Sequence, residues 1–454
     1  MQQAIGKYRW TICALLFFAT TINYIDRQVL SLLQPTLAAE YGWTNSDYAN
    51  INVVFTFVYA ISMLFAGPII DKLGTKKGFM WAIIVWSLGA ILHAFAIPIG
   101  HVFGPAFSAV GITVASASVV GFMISRAVLA FGESGNFPAA IKTTAEYFPK
   151  KERSLATGIF NSGANIGAVV AAPLVYFIVD KWHWQGAFIV VGALGFLWLI
   201  FWRMFYEQPE KQKRLSAQEL QYIQQVEEGE DVKPVTEEKE KTSWWKLLGY
   251  KQTWSFAVGK FMTDGVWWFF LFWLPAYLKA QYGMEKNDIS IPIMVIYSLT
   301  MVGSITGGWF PMYFIKRGHK AYNGRMIAMF IIALFPMVVL LAQPLGHISY
   351  WIPVLLIGIG ASAHQAWSAN IFTTVSDMFP KKAVGSVVGI GGMAGGLGGV
   401  VINKLGGFLF DKYEALGHIE TGYTIMFAIC ALAYLVAWLI MKSLVPKYKP
   451  ITDL

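Results

Sequence analysis

Apolar runs of about 20 residues recur along the whole chain, and few folds accept that pattern. Twenty residues is about what a helix needs to cross 30 Å of hydrocarbon. Unpaired backbone polar groups are not tolerated in lipid, so these runs are expected to be helices. Twelve spans are expected, at roughly 9–33, 47–70, 78–98, 115–143, 153–178, 184–206, 250–280, 288–315, 324–343, 349–377, 383–409 and 420–443. With 56% hydrophobic and 13% charged residues, the chain is poorly suited to life in water. The first run carries Asp26 and Arg27 in its centre and lacks a small-x-small site after it, unlike a cleaved signal peptide.

The net charge of +9 is distributed as a topology signal. Lys72, Lys76 and Lys77 follow the second span, and Lys150, Lys151 and Arg153 the fourth. Lys316, Arg317, Lys320 and Arg325 follow the eighth, and Lys381 and Lys382 the tenth. The opposite connections carry only Lys181, Lys279, Lys286 and Lys412. By the positive-inside rule both termini are expected in the cytoplasm. The basic balance therefore calls for a lipid bilayer and for no nucleic acid. Cys13 and Cys430 both lie in apolar runs and read as small core residues.

A repeat divides the chain. Phe148-Pro-Lys-Lys151 returns as Phe379-Pro-Lys-Lys382, and the match runs on through Gly158-Ile159 against Gly389-Ile390, Gly167 against Gly398, and Val169-Val170 against Val400-Val401, at a constant offset of 231 residues. The expected units are an N-terminal six-helix half (1–206), a polar linker (207–249) and a C-terminal six-helix half (250–454). Ser216-Ala-Gln-Glu219 is a capping box that predicts a short surface helix, and 227–241 is expected to be mobile. Two similar halves joined in this way are a transporter architecture, with substrate near the midplane between them.

Charged residues inside the spans are the candidates for function, since a charge at membrane depth is costly. Asp26 and Arg27 are neighbours on a helix and point about 100° apart, so they pair poorly. Arg126 and Glu133 lie seven residues apart, about 10 Å along one helix face. An anion competing for the cation would change how tightly the carboxylate holds its proton, a physical basis for coupling; the alternative is a permanent ion pair. Lys142, further along, marks the helix end. Lys260 and Asp264, one turn apart, either neutralise each other or offer Lys260 as a second anion contact near the repeat equivalent of Arg27. His364 is the repeat counterpart of Glu133, and with Gln365 it can donate to and accept from hydroxyls. Asn161 and Asn165 could touch a hydroxyl or bond across helices. The glycine run from Gly385 to Gly399 reads as close helix packing, since it lacks the Gly-Lys-Ser/Thr ending of a phosphate loop.

Gly67-Pro-Ile-Ile-Asp71-Lys72-Leu-Gly74-Thr-Lys76-Lys77 resembles the loop signature of the major facilitator superfamily. Its glycines are expected to permit close helix packing, and Asp71 to pair with a neighbouring helix end. A degenerate copy at Gly307-Gly308 to Lys316-Arg317-Gly318 lacks the Asp. Tyr24-Ile-Asp26-Arg27, Arg126 to Gly132-Glu133 and Tyr147 to Arg153 resemble the anion:cation symporter branch. Lys142 to Arg153, Gly163 to Pro173, Ala363-His364-Gln365-Ala366 and Ser376-Asp377 resemble bacterial hexuronate transporters within it. The glycine- and alanine-rich connection at 101–118 is longer than that family leads one to expect.

The resemblance implies an all-α membrane protein of two pseudo-symmetric six-helix halves, working as a monomer in a bacterial inner membrane. It implies that Arg27 meets a substrate carboxylate and that Asp26 and Glu133 carry protons; the planar fork of Arg suits a carboxylate. Tyr59 and Trp367 match pocket positions, joining Tyr24 of the first motif, Arg126, Asn161, Lys260, His364 and Gln365 as expected substrate contacts. The expected activity is proton-coupled import of a small sugar-acid anion, a hexuronate such as glucuronate or galacturonate, with galactonate or glucarate as the alternative. No cofactor beyond the coupling proton is expected. No nucleophile–base pair or metal-spaced cluster suggests an enzyme, and a channel has no need of proton carriers.

Overall fold

The computed structural model describes residues 6–109, 116–224 and 244–452, all of whose regular structure is helical. The segment 227–241 lies outside the described residues. The crossings are α1 (Tyr8–Tyr41), α2 (Asn45–Leu73), α3 (Thr75–Leu92, continued by Ala96–Ala109) and α4 (Ala117–Glu133 and Asn136–Tyr147). The helix Lys150–Phe205 contains α5 and α6, separated by non-helical backbone at Trp182 and His183. After a short surface helix (Ala217–Gln224) come α7 (Lys251–Tyr282), α8 (Asn287–Lys316) and α9 (Ala321–Leu334, continued to Gly346). They are followed by α10 (Trp351–Met378), α11 (Lys381–Ala415) and α12 (Ile419–Leu444).

Among the described residues, eight helices are both long and apolar enough to cross a membrane, α5 and α6 counting as one. The three that fall short, α1, α7 and α10, have 34, 32 and 28 residues. Length is not what they lack. They hold Asp26 and Arg27, Lys260 and Asp264, and His364 and Gln365.

The fourth span forms over Ala117–Tyr147 with a local irregularity at Ser134–Gly135, directly after Glu133, where both residues keep right-handed helical dihedrals. One expectation is corrected. The connection at 101–118 is not mainly loop, because 101–109 continues the helix that extends α3; residues 110–115 lie outside the described part.

The halves α1–α6 and α7–α12 meet along α2 against α11, α5 against α8 and α1 against α7. Small residues allow backbones in lipid to approach closely. A Cβ on Gly407 would lie 2.5 Å from Ala49 Cβ, one on Gly396 2.5 Å from Ala60 Cβ, and one on Gly392 3.3 Å from the Met63 methyl. Beyond Met63 the seam does not continue: Gly67 and Gly385 have nothing within 4 Å.

Polar contacts between the halves follow the same gradient. Gln28 Nε2 donates to Tyr297 Oη at 2.9 Å, Thr300 Oγ1 to Asn165 Oδ1 at 3.2 Å, and Tyr48 Oη to the Phe272 carbonyl at 2.7 Å. More lie at the face away from the termini, around Asn45. At the terminus face, none of these ion pairs among the described residues crosses between the halves: Lys142–Asp71 and Arg325–Asp377 each stay within one half, and Lys76 of α3 pairs with Glu207 at the start of the linker. Among the described residues, the polar contacts that join the halves therefore lie at the far face and midplane.

In the signature loop the glycines differ from expectation and the aspartate does not. Gly67 makes no close packing, and Gly74 sits at φ +76°, where an L side chain is strained. Asp71 pairs with Lys142 of α4 at 2.8 Å, so Lys142 does more than mark a helix end. Lys72 is exposed. Ser216 Oγ accepts from Glu219 N at 3.1 Å as a cap should. The Glu219 carboxylate turns instead to α1, accepting from Tyr8 N and Arg9 N at 3.1 Å each.

Candidate functional site

Arg27 sits in the middle of α1 and is 2% exposed, and Glu133 closes the first segment of α4 and is 0% exposed. Glu133 Oε2 accepts from Arg27 Nη2 at 2.6 Å and from Nε at 3.0 Å. Sequence spacing had set Arg126 opposite Glu133; the fold sets Arg27 there, because seven residues along one helix leave a gap that a neighbouring helix closes. The second oxygen, Oε1, is buried without a partner. Asn23, one turn before Arg27, accepts a further contact from Nη2 at 3.4 Å.

Four rings surround the Arg27 guanidinium: Tyr24 at 4.8 Å, Tyr59 at 5.1 Å, Trp268 at 5.2 Å and Phe55 at 5.4 Å. Trp268, on α7, is the one from the opposite half. Such rings attract a desolvated cation through their π faces.

Arg126 is 0% exposed. Its two terminal nitrogens reach the Arg27 carbonyl only at 3.4 Å, its Nε has no partner, and it lies 4.9 Å from the Phe55 ring. No ion pair of Arg126 occurs among the described residues. Asp26 is 2% exposed, and neither carboxyl oxygen has a partner. An ion there would be uncompensated at membrane depth. The site thus holds one neutralised cation, one cation without an anion, and one carboxyl group without a cation.

The second half contributes a separate cluster. Lys260 pairs with Asp264 at 2.6 Å and lies 4.5 Å from the Phe372 ring. The His364 ring stacks on Trp267 at 5.0 Å and 9°, and Nδ1 lies 2.9 Å from Tyr434 Oη. Trp367 is fully buried with its ring 5.6 Å from Tyr434, and its Nε1 has no partner. In this conformation His364 and Trp367 face packed side chains, not open space. Gln365 and Asn161 are half-buried, and Asn165 is spent on Thr300.

Phe55, Trp267, Trp268 and Tyr434 were not singled out from the sequence. The signal available was helical spacing: Phe55 is one turn before Tyr59, and Trp268 one turn after Asp264. Aromatic residues make up 16% of the chain, so ring content alone could not select them. Among the described residues no group of His, Cys, Asp and Glu could hold a metal ion.

The Major Facilitator Superfamily model matches residues 16–403. The sequence is 29% identical to a hexuronate transporter of Escherichia coli strain K12 over 448 residues, 97% of this chain and 95% of that one. It is 30% identical to a galacturonate transporter of Dickeya chrysanthemi over 312 residues, 69% of this chain and 84% of that one. The solved structure of a D-xylose-proton symporter superposes with a TM-score of 0.72, covering 98% of this chain and all of that one at 15% identity. With its helical halves, its signature loop and these similarities, the chain is a multi-pass membrane transporter, not an enzyme, and it belongs to the Major Facilitator Superfamily.

Proposed function

We propose that this protein is a proton-coupled symporter that imports a hexuronate, such as glucuronate or galacturonate, into a bacterial cell across its inner membrane. Both termini are read as cytoplasmic, so the terminus face, where no ion pair among the described residues crosses between the halves, is the cytoplasmic side.

The observation that carries the reading is the Arg27–Glu133 pair with Asp26 unpartnered beside it. A substrate carboxylate fits the Arg27 fork, but Glu133 already occupies that fork. For the substrate to take Glu133's place, Glu133 must lose its charge, because an unpaired buried carboxylate costs several kcal/mol. A proton on Glu133 therefore accompanies the anion. Asp26 offers a second protonation site, with no cation nearby to compete for its carboxyl. Arg126, which has no anion of its own, adds positive potential for the same carboxylate, and Tyr24 and Tyr59 frame it. Proton entry from outside and release inside would drive accumulation. Sugar hydroxyls would meet Asn161, Lys260, His364, Gln365 and Trp367 as α7 and α10 shift in the rocking of the halves. The similarity to hexuronate and galacturonate transporters supports the substrate class.

The test is uptake into proteoliposomes of glucuronate, galacturonate, galactonate and glucarate, each at two external pH values. Faster uptake of the first two at the lower pH is expected. Preference for galactonate or glucarate would move the reading to another sugar acid, and uptake independent of pH would overturn the coupling.

A further inference from the structure

The N-terminus of α2 is capped from both halves of the molecule. The first amides of a helix have no intrahelical acceptor. Thr44 Oγ1 accepts from Asp47 N at 3.0 Å, and Asp47 Oδ2 accepts in return from Thr44 N at 3.0 Å. That local box leaves the amides of Asn45 and Ser46. Asp411, on α11 in the opposite half, takes both: Oδ1 accepts from Asn45 N at 2.8 Å and Oδ2 from Ser46 N at 2.9 Å. A carboxylate is also the charge that a helix N-terminus favours. Around this contact, Asn45 Nδ2 donates to Glu414 Oε2 at 2.7 Å and Lys404 Nζ to Asn50 Oδ1 at 2.5 Å. Behind it, Gly407 meets Asn45 and Ala49.

We infer that Asp411 is the latch of the far-face gate. It completes the cap of α2 only while the two halves are closed at that face, so opening must return two amides and a carboxylate to water. The carboxylate of one half thereby biases the molecule toward the conformation closed at the far face. This rests on the alternating-access reading given above and is independent of which anion is carried.

The test is a distance between spin labels on exposed far-face positions, Ala39→Cys and Leu416→Cys, in full-length protein with Cys13 and Cys430 replaced by Ala. The distance is read by pulsed electron resonance in nanodiscs. With Asp411 intact a single short distance is expected to dominate. Asp411→Ala should make a longer distance the major one, and Asp411→Asn, which keeps one acceptor without charge, should fall between. A steric control, Gly407→Leu, forces the same seam apart without touching the carboxylate. If Gly407→Leu lengthens the distance and both Asp411 variants leave it unchanged, the latch is overturned while rocking of the halves stands. If none of the variants lengthens it in protein that retains the parent's melting temperature, the latch falls together with the alternating-access reading.

Discussion

Arg27 has its fork filled by Glu133 before any ligand arrives, and this decides how single substitutions there behave. Arg27→Ala strands a fully buried carboxylate, which in such pairs costs about 3–5 kcal/mol. Adding Glu133→Gln removes the stranded charge. The double variant is therefore expected to melt at a higher temperature than Arg27→Ala alone, while both fail to bind the anion. Equal melting temperatures, followed by tryptophan fluorescence in detergent, would show that the two side chains do not depend on each other. Asp26 behaves oppositely because it has no partner to lose. Asp26→Asn should change stability by less than about 1 kcal/mol yet abolish accumulation driven by a pH gradient, with exchange of preloaded anion retained. Normal accumulation in this variant would remove Asp26 from the coupling. At this scale the sequence was informative about which residues and poor about which contacts. Arg27, Glu133 and Asp26 stand out as ions in apolar helices, whereas the pairing of Arg27 with Glu133 crosses from α1 to α4. His364 stood out by repeat position, but its stacking on Trp267 and its bond to Tyr434 come from α7 and α12.

Helices were legible because apolar length and terminal lysines are local signals. Their irregularities were less so: Gly135 and Pro138, which has no N–H to return to the Ser134 carbonyl, flank the interruption after Glu133, but neither says that the crossing continues past it. The glycine run of α11 shows how one pattern hides two situations. A Cβ on Gly398 would collide with the Phe261 carbonyl of α7, whereas one on Gly385 meets nothing. Gly398→Ala should destabilise by about 1–3 kcal/mol through overpacking, and Gly385→Ala should be neutral or stabilise by up to about 1 kcal/mol through helix propensity. Thermal melts of the two variants settle this, and a similar loss in both would mean that the run acts through flexibility instead. Lys76, in the first turn of α3, donates at 2.7 Å to Glu207 just past the end of α6 and is the main cause holding that carboxyl below its usual 4.5, with the neighbouring Gln208 amide and Lys211 assisting. A depressed carboxyl contributes stability above its unfolded value and loses it as pH falls through the folded one. Both side chains are about a third exposed, so screening keeps the gain below about 1 kcal/mol. Glu207→Gln should lower the melting temperature slightly at pH 7 in low salt, with the difference fading as pH falls below 4.5 and through the depressed folded-state value; a difference that persists in strong acid would exclude the ion pair as its source.

The whole molecule is two halves that lean together at one end. The repeat made the halves legible, but glycines such as Gly396 and Gly407 do not say which helix they will face, so the α2–α11 seam could be found only in three dimensions. That seam predicts where a covalent bridge can form. Cys replacing Ala49 and Gly407 would have Cβ positions 2.5 Å apart, and disulfides need about 3.5–4.5 Å, so the helices must ease by roughly 1 Å before the bond closes. Cys replacing Gly67 and Gly385, at the other end of the same two helices, would meet open space. Mild oxidation should therefore cross-link the first pair quickly and the second slowly in unliganded protein, in a background without Cys13 and Cys430. The first bridge should stop transport until reductant is added, because a protein that must part at the far face to accept its anion cannot do so when sewn shut there. Full transport through the cross-linked protein would mean that the anion passes without parting of the α2–α11 seam, which no alternation between two gates allows.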